Sequence, residues 1–201
     1  MVEGDLDEVV AQKVLSHKRI GLGNVFGKKG KDFIMGNLRK FGQAAQNSPC
    51  PWLILVDLDT DEQCVPPFIK KRLNFPVRGI IFRVAVRKIE SWLLADREAI
   101  ASYLEIPAEK IPFKSEDLAD PKQTVVNLAR HSRNKGIRED MVPRPDSGAK
   151  QGPLYNSRMK DFVGNFWRVD IAAQNSDSLS RFIRALEKID SPRKKNAKRT
   201  N

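Results

Sequence analysis

The sequence Trp52-Leu53-Ile54-Leu55-Val56-Asp57-Leu58-Asp59 carries the strongest structural signal in the chain. Its first five residues are all apolar, which predicts a strand covered on both faces, as in a parallel sheet. Two aspartates then stand at its carboxyl end, where open α/β sheets hold their ligands. The stretch therefore predicts a buried parallel strand that ends in an acidic site.

Helical and strand patterns alternate around this strand. Residues 5–17 and 32–46 have the apolar period of helices, and residues 79–86 have the composition of a second strand. Residues 66–73 and 88–104 are predicted helices, the second broken near Asp96. Such alternation is typical of βαβ units. We therefore expect an α/β fold, with a Rossmann-like parallel sheet flanked by helices and a C-terminal helical extension.

The character of the sequence changes after residue 105. We predict an α/β core over residues 1–105, a helical and long-loop extension packed on it over 106–190, and a disordered basic tail over 191–201. Within the extension, residues 133–153 are rich in Pro, Gly, Lys and Arg and lack periodicity, which predicts a long loop. Predicted helices flank this loop at residues 122–132, 154–166 and 177–189.

Composition narrows the classes of partner. The 201 residues include 36 basic and 25 acidic side chains, a formal net charge of +11, which favours polyanions such as nucleic acid. Simple solvation of a basic surface is the alternative. No apolar run approaches the roughly 20 residues that span a bilayer, and the N-terminus does not have the pattern of a signal peptide. We therefore expect a cytoplasmic protein that does not enter a membrane.

Asp57 and Asp59 are the first candidates for a metal site. Two carboxylates two residues apart in an extended turn can face one cation, and burying them without a partner would be costly. Because no histidine or cysteine accompanies them, Mg²⁺ or Mn²⁺ is the expected ion. The alternative is that one of them only caps the next helix.

A phosphatase of the haloacid-dehalogenase type is a second way to use aspartates at a strand end. Those enzymes have the pattern Asp-x-Asp-x-Thr, whereas here Thr60 comes one place early and Asp61 stands at the required position. A small-molecule phosphatase is therefore kept as an alternative function.

Two motifs together resemble the Toprim fold. The segment Val2-Glu3-Gly4-Asp5-Leu6-Asp7-Glu8 resembles its first motif, a Glu-Gly at the end of the first strand with an acid one helical turn later. Residues 55–59 resemble its Asp-x-Asp motif. Only Met1 and Val2 precede Glu3, so we expect a first strand of two or three residues, or a chain that starts late relative to its relatives.

Two further segments resemble the landmarks of a bacterial family, domain-of-unknown-function family 4276. They are Ile89-Glu90-Ser91-Trp92-Leu93-Leu94-Ala95-Asp96 and Ala173-Gln174-Asn175-Ser176-Asp177-Ser178-Leu179. Members of that family look like Toprim domains of the overcoming-lysogenization-defect (OLD) nuclease type, and some are thought to work beside an ATPase in anti-phage systems. The resemblance implies a divalent-metal-dependent nuclease of DNA or RNA with nucleic-acid and ATPase partners.

The resemblance assigns metal binding to Asp57 and Asp59, with Glu3 as a further ligand or the general acid/base. Asp7 lies on the same helical face as Glu3, so it completes a second metal site or only stabilises the helix start. Glu90 reaches the same edge if the second strand is parallel to the first; the alternative is a capping or ion-pair role. Lys150 is expected to stabilise transition-state charge or to be solvated.

A set of basic side chains in the extension forms a predicted nucleic-acid track, with a solvated basic face as the alternative. Its members are Arg130, Arg133, Lys135, Arg138 and Arg144. If the acidic site lacks activity, the chain would instead be a noncatalytic module that binds nucleic acid or docks a partner protein.

Overall fold

Two parallel strands form the sheet in the computed structural model, which describes residues 1–75 and 78–190. Strand β1 is Trp52–Asp57 and strand β2 is Ile80–Ala85, and each residue of β1 lies opposite the residue 28 positions later. The prediction of parallel strands at these two places is confirmed. Both carboxyl ends therefore meet at one edge of the sheet.

The N-terminal residues lie along the other side of β1. The ammonium of Met1 donates to the carbonyl of Leu53 at 2.6 Å, and the amide of Leu55 donates to the carbonyl of Met1 at 3.0 Å. On its far side, Val2 forms a single parallel bridge with Gly27. A first segment of two or three residues is thus sufficient to continue the sheet and to bring Glu3 level with the end of β1.

Helices surround the sheet and make up the extension. They are α1 Asp5–His17, α2 Gly30–Gly36, α3 Leu38–Gln46, α4 Val65–Arg72, α5 Ile89–Leu94, α6 Arg97–Leu104, α7 Pro121–Ala129, α8 Lys135–Met141, α9 Tyr155–Asn165, α10 Val169–Asn175 and α11 Asp177–Asp190. None of the helices in the described ranges is both long enough and apolar enough to cross a membrane.

Most predicted helices are found, with three differences. The helix expected over residues 32–46 is divided at Asn37 into α2 and α3. The long loop expected over residues 133–153 is wrong, because it contains α8, whose start is capped by the Asn134 side chain. Helix α10 was not predicted. The predicted break near Asp96 is confirmed, since Asp96 caps the start of α6.

Apolar side chains cover both faces of the sheet. Ile54 and Val56 of β1 face a core formed with α2, α3 and α4. Leu55, between them, faces a second core that runs from α1 to α11. This second core includes stacked rings of Trp92 and Phe182, 5.7 Å apart, and so joins residues on both sides of position 105. The division at residue 105 stays a prediction, and the tail over 191–201 lies outside the described residues.

Candidate functional site

Glu3 lies at the carboxyl end of β1. Its Oε1 accepts a hydrogen bond from the amide of Asp57 at 2.7 Å, and its carbonyl accepts one from Gly30 at 3.1 Å. The bridge from Val2 to Gly27 holds this segment in place. A Cβ at Gly27 would lie well inside contact distance of the Val2 carbonyl, and the φ of Gly27 is +108°, so only glycine fits without strain.

Asp7 lies one turn after Glu3, in the first turn of α1. It is buried, and its Oδ2 accepts a hydrogen bond from the amide of Gly4 at 2.8 Å. This bond satisfies one of the free amides at the helix start. Asp7 therefore stabilises the helix start, which is one of the two roles expected for it.

Asp57 is the residue whose surroundings are most unusual. Its Oδ1 is buried and has no hydrogen-bond partner among the residues that the structure describes. Burial raises the pKa of Asp57 well above its ordinary value, and the negative charges of Asp7, Glu3, Glu90 and Asp59, in that order, raise it further. Four of the predicted site acids are thus close enough to Asp57 to disfavour its charge, as expected for a site that receives a cation.

Glu90 enters the cluster from the next strand. It lies in the first turn of α5, which follows β2, and it is 2% exposed. Its Oε1 accepts a hydrogen bond from the hydroxyl of Tyr155 at 3.3 Å and lies 3.5 Å from the ammonium of Lys122. Burial, and then the charge of Glu90, raise the pKa of Tyr155, so its hydroxyl stays protonated as the donor.

The carboxyls of Glu3 and Asp7 are also perturbed. Burial raises the pKa of Glu3 to about 7, although the hydrogen bond from Asp57 and the charge of Lys31 oppose the change. Burial raises the pKa of Asp7 to about 6, against the hydrogen bond from Gly4 and with a contribution from the charge of Glu90. Glu3 therefore changes protonation near neutral pH, where a general acid or base is most effective.

Asp59 forms the outer rim of the cluster. It adopts a left-handed backbone conformation with φ +51°, which aspartate tolerates better than most residues. The ammonium of Lys31 binds its Oδ2 at 2.7 Å and lies 3.3 Å from Asp61. Asp59 thus has a counter-ion from this chain, whereas Oδ1 of Asp57 has none.

Three residues of this site were not predicted from the sequence. Lys31 lies in the first turn of α2, at the end of a segment, residues 19–31, that contains four glycines and four basic side chains. That composition was the one available signal for it. Lys122 lies in the first turn of α7 and Tyr155 begins α9, so both come from the extension. Neither has a local motif that marks it.

The remaining predicted residues have no recorded hydrogen bond or ion pair with the acids of the cluster within the described ranges. Lys150 is exposed and makes no hydrogen bond or ion pair within the described ranges, so its catalytic role stays a prediction. Three of the five track residues, Arg130, Arg138 and Arg144, line one groove of about 850 Å³. The other two lie outside this lining; Lys135 forms an ion pair with Glu139 at 3.6 Å, and Arg133 is exposed.

The acids have the ligand type that a divalent cation requires, but their side chains are not arranged to hold one. They offer only oxygen ligands, the kind that Mg²⁺ prefers, around a buried oxygen without a partner. As placed, however, no three His, Cys, Asp or Glu side chains of the described residues form a group that could hold a metal ion. The donor set fits, and binding would require side-chain rotation, chiefly of carboxylates that now accept backbone hydrogen bonds.

Comparison of the chain with protein-family models, curated proteins and solved structures finds no significant match. The function is therefore inferred from the residues and their contacts.

Proposed function

We propose that the chain is a divalent-metal-dependent nuclease, with its active site at the cluster of Glu3, Asp7, Asp57, Asp59 and Glu90. One observation carries the proposal: among four other carboxylates at the carboxyl edge of a parallel sheet, Oδ1 of Asp57 is buried and none of the described residues, 1–75 and 78–190, gives it a partner. Buried polar atoms in natural proteins nearly always have a hydrogen-bond partner, and among the explanations of an exception are a bound ion and a catalytic role. The net charge of +11 favours a polyanionic substrate.

The side chains divide the work of phosphodiester hydrolysis between them. Asp57 and Asp59 would hold Mg²⁺ or Mn²⁺ with Glu3 or Asp7, and a bound divalent ion would stabilise charge on the phosphate oxygens. With a pKa of about 7, Glu3 can accept a proton from the attacking water and release it near neutral pH. Lys122, 3.5 Å from Glu90, is better placed than Lys150 to offset negative charge at this edge.

The finer fold assignment belongs to the same proposal. A Toprim-like core is supported by the arrangement of Glu3 beside the end of β1 and of Glu90 after the neighbouring parallel strand. An ATPase partner and a role in phage defence follow only from the family resemblance. Nuclease activity is tested first, and the ATPase partner and the role in defence are tested after it.

The test is cleavage of supercoiled plasmid and of single-stranded DNA and RNA by the full chain, with Mg²⁺, Mn²⁺ or EDTA. We expect cleavage that requires the ion and is lost in Asp57→Asn and Asp59→Asn. Asp32→Asn, an exposed acid in α2, is the matched control and should cleave normally. Cleavage in EDTA, or equal cleavage by Asp57→Asn, would refute the proposal.

A noncatalytic nucleic-acid-binding module is the second candidate, and one observation favours it. Lys31 already neutralises Asp59 and Asp61, at 2.7 and 3.3 Å, so part of the acidic rim has a cation from the chain itself. This candidate expects nucleic-acid binding in EDTA with no cleavage by any version of the chain.

A further inference from the structure

Four aromatic rings form a continuous row beside the start of β1, which we call the aromatic row: Phe26, Trp52, Phe41 and Phe33. Phe26 and Trp52 are nearly parallel, with ring centroids 6.0 Å apart and 14° between their planes. Trp52 and Phe41 are 6.4 Å apart, and Phe41 and Phe33 are 6.2 Å apart. Phe26 is 53% exposed, and nearby in sequence Leu22 is 49% exposed, so one end of the row is open to solvent.

The segment that carries two of these four rings, Phe26 and Phe33, is strongly basic. Residues 18–40 contain seven Lys and Arg side chains and one acid, Asp32. Lys18, Lys28 and Lys31 pair with acids elsewhere in the chain. The other four are exposed and form no ion pair within residues 1–75 and 78–190; they are Arg19, Lys29, Arg39 and Lys40.

We propose that the aromatic row, with Lys29 beside Phe33, forms a binding surface for single-stranded nucleic acid. Bases can stack on an exposed aromatic face only when they are not paired in a duplex, and free cations along the same surface attract the phosphates. Lys29 joins the two parts of this surface. Its ammonium lies 5.1 Å from the centroid of the Phe33 ring, and the residue is exposed, so a phosphate can approach it beside the rings. A duplex offers phosphates but no free base faces.

The position of the row connects it to the acidic cluster. Phe26 accepts a hydrogen bond from the amide of Val2, and Gly30, four residues after Phe26, donates to the carbonyl of Glu3. Four residues of chain span at most about 14 Å. A strand stacked on Phe26 would therefore reach the acids within a few nucleotides. This substrate class rests on the proposed nuclease function and specifies what that site would cut.

Binding can be measured without cleavage, by fluorescence anisotropy of the full chain in EDTA with a labelled 15-nucleotide oligothymidylate and a duplex of the same length. We expect tighter binding of the single strand. Phe26→Ala should raise its Kd about tenfold, the effect of losing a stacked base. Phe26→Trp should retain affinity. Phe113→Ala, which removes a ring 78% exposed on another surface, is the matched control and should change nothing.

A second variant tests the contact between Lys29 and a phosphate, and it can be measured even if Phe26→Ala fails to fold. Lys29→Gln should lower the slope of log K against log salt by about 0.7, the value for one phosphate contact on a single strand. Equal Kd values for wild type and folded Phe26→Ala, an unchanged slope with Lys29→Gln, or tighter binding of the duplex would each overturn the inference. Failure of wild type to bind either nucleic acid would also overturn it and leave the surface to a protein partner.

The two proposals can fail separately. If Phe26→Ala loses single-strand binding and no version of the chain cleaves, the binding surface stands without the nuclease. If the chain cleaves duplex DNA and Phe26→Ala cleaves it equally well, with unaltered binding of the single strand, the nuclease stands and the aromatic row is not its substrate surface.

Discussion

Asp57 and Asp96 each have a buried carboxylate oxygen, but the two oxygens differ in their partners. The carboxylate of Asp96 accepts hydrogen bonds from the backbone amide of Arg168 at 2.9 Å and from its guanidinium at 2.7 and 3.1 Å, and also from the amide of Ala99 at 3.4 Å. Within the described part of the chain Oδ1 of Asp57 has no partner, and the charges that most affect its pKa are those of other carboxylates.

The difference separates a structural acid from a candidate ligand. Asp96 caps α6 and fixes the start of α10, so its burial is compensated within the chain. Burying Asp57 among like charges is uncompensated and costs stability. Such a cost persists when the group serves a function that a better-paired residue could not serve. Substitutions at these two acids and at their neighbours test the difference.

Asp57→Asn should separate activity from stability. It keeps the size of the side chain and removes a negative charge, so cation-dependent cleavage should fall by at least about a hundredfold, since a ligated ion contributes several kcal/mol. The free energy of unfolding in EDTA should stay equal or rise. Plasmid-nicking rates and urea unfolding measure the two quantities. A large loss of stability would show that Asp57 is a structural acid like Asp96.

Asp96→Ala should have the reverse effect. Removing the partner of Arg168 and the cap of α6 should lower the free energy of unfolding by about 3 kcal/mol. Urea unfolding with an unchanged m-value would measure it. Cleavage per folded molecule should be retained. A change under about 1 kcal/mol would contradict the structural role.

Gly27→Ala should disturb the placement of Glu3. The added methyl group meets the Val2 carbonyl, and the residue needs a positive φ, so we expect a loss of about 2 kcal/mol in the free energy of unfolding. Cleavage should fall with it. Gly36→Ala is the control, because a Cβ there meets nothing within 4 Å. Equal stability of the two variants would argue against the bridge.

Stability should fall as the pH rises through neutrality. The pKa of Glu3 is about 7 in the fold against 4.5 for the free side chain, so the folded state binds more protons between these values. Its contribution is complete below about pH 4.5 and is lost as the pH passes 7. Because Glu3 is only partly buried and solvent screens its charge, we expect only about 1–2 kcal/mol.

The measurement is thermal unfolding in EDTA at pH 5 and pH 8. Saturating Mn²⁺ should reduce the difference, because the ion binds the ionised carboxylates. Glu3→Gln should also reduce it. An unfolding temperature that rises from pH 5 to pH 8 in EDTA would contradict the raised pKa.

Lys31→Met should strengthen cation binding at the rim. Lys31 and a bound cation compete for the Asp59 carboxylate. Because a partly exposed ion pair contributes about 1 kcal/mol, its removal should raise the Mn²⁺ affinity about fivefold, as measured by calorimetry. Lys71→Met, which breaks the exposed pair with Glu62, is the control. Weaker binding in Lys31→Met would instead show that Lys31 helps to hold the acids in place.

Local signals in the sequence predicted the parts of the fold that depend on neighbouring residues. The apolar run of β1 predicted a strand covered on both faces, because a strand that alternates polar and apolar residues would face water on one side. The bounds of α1 followed from the helical period of its apolar residues, and the helix break near Asp96 was also expected from the sequence. The acids at the end of β1 were predicted because they directly follow its apolar run.

Only the tertiary structure decided what surrounds those acids. Tyr155 reaches Glu90 across 65 positions and Lys31 reaches Asp59 across 28, and no periodic pattern encodes such distances. Helix α8 was missed because its composition is that of a loop, whereas burial of Ile137 and Met141 stabilises it. The sequence by itself determined which residues carry charge and where a strand ends. Packing determined which of those charges are paired, because pairing depends on contacts that only the folded chain makes.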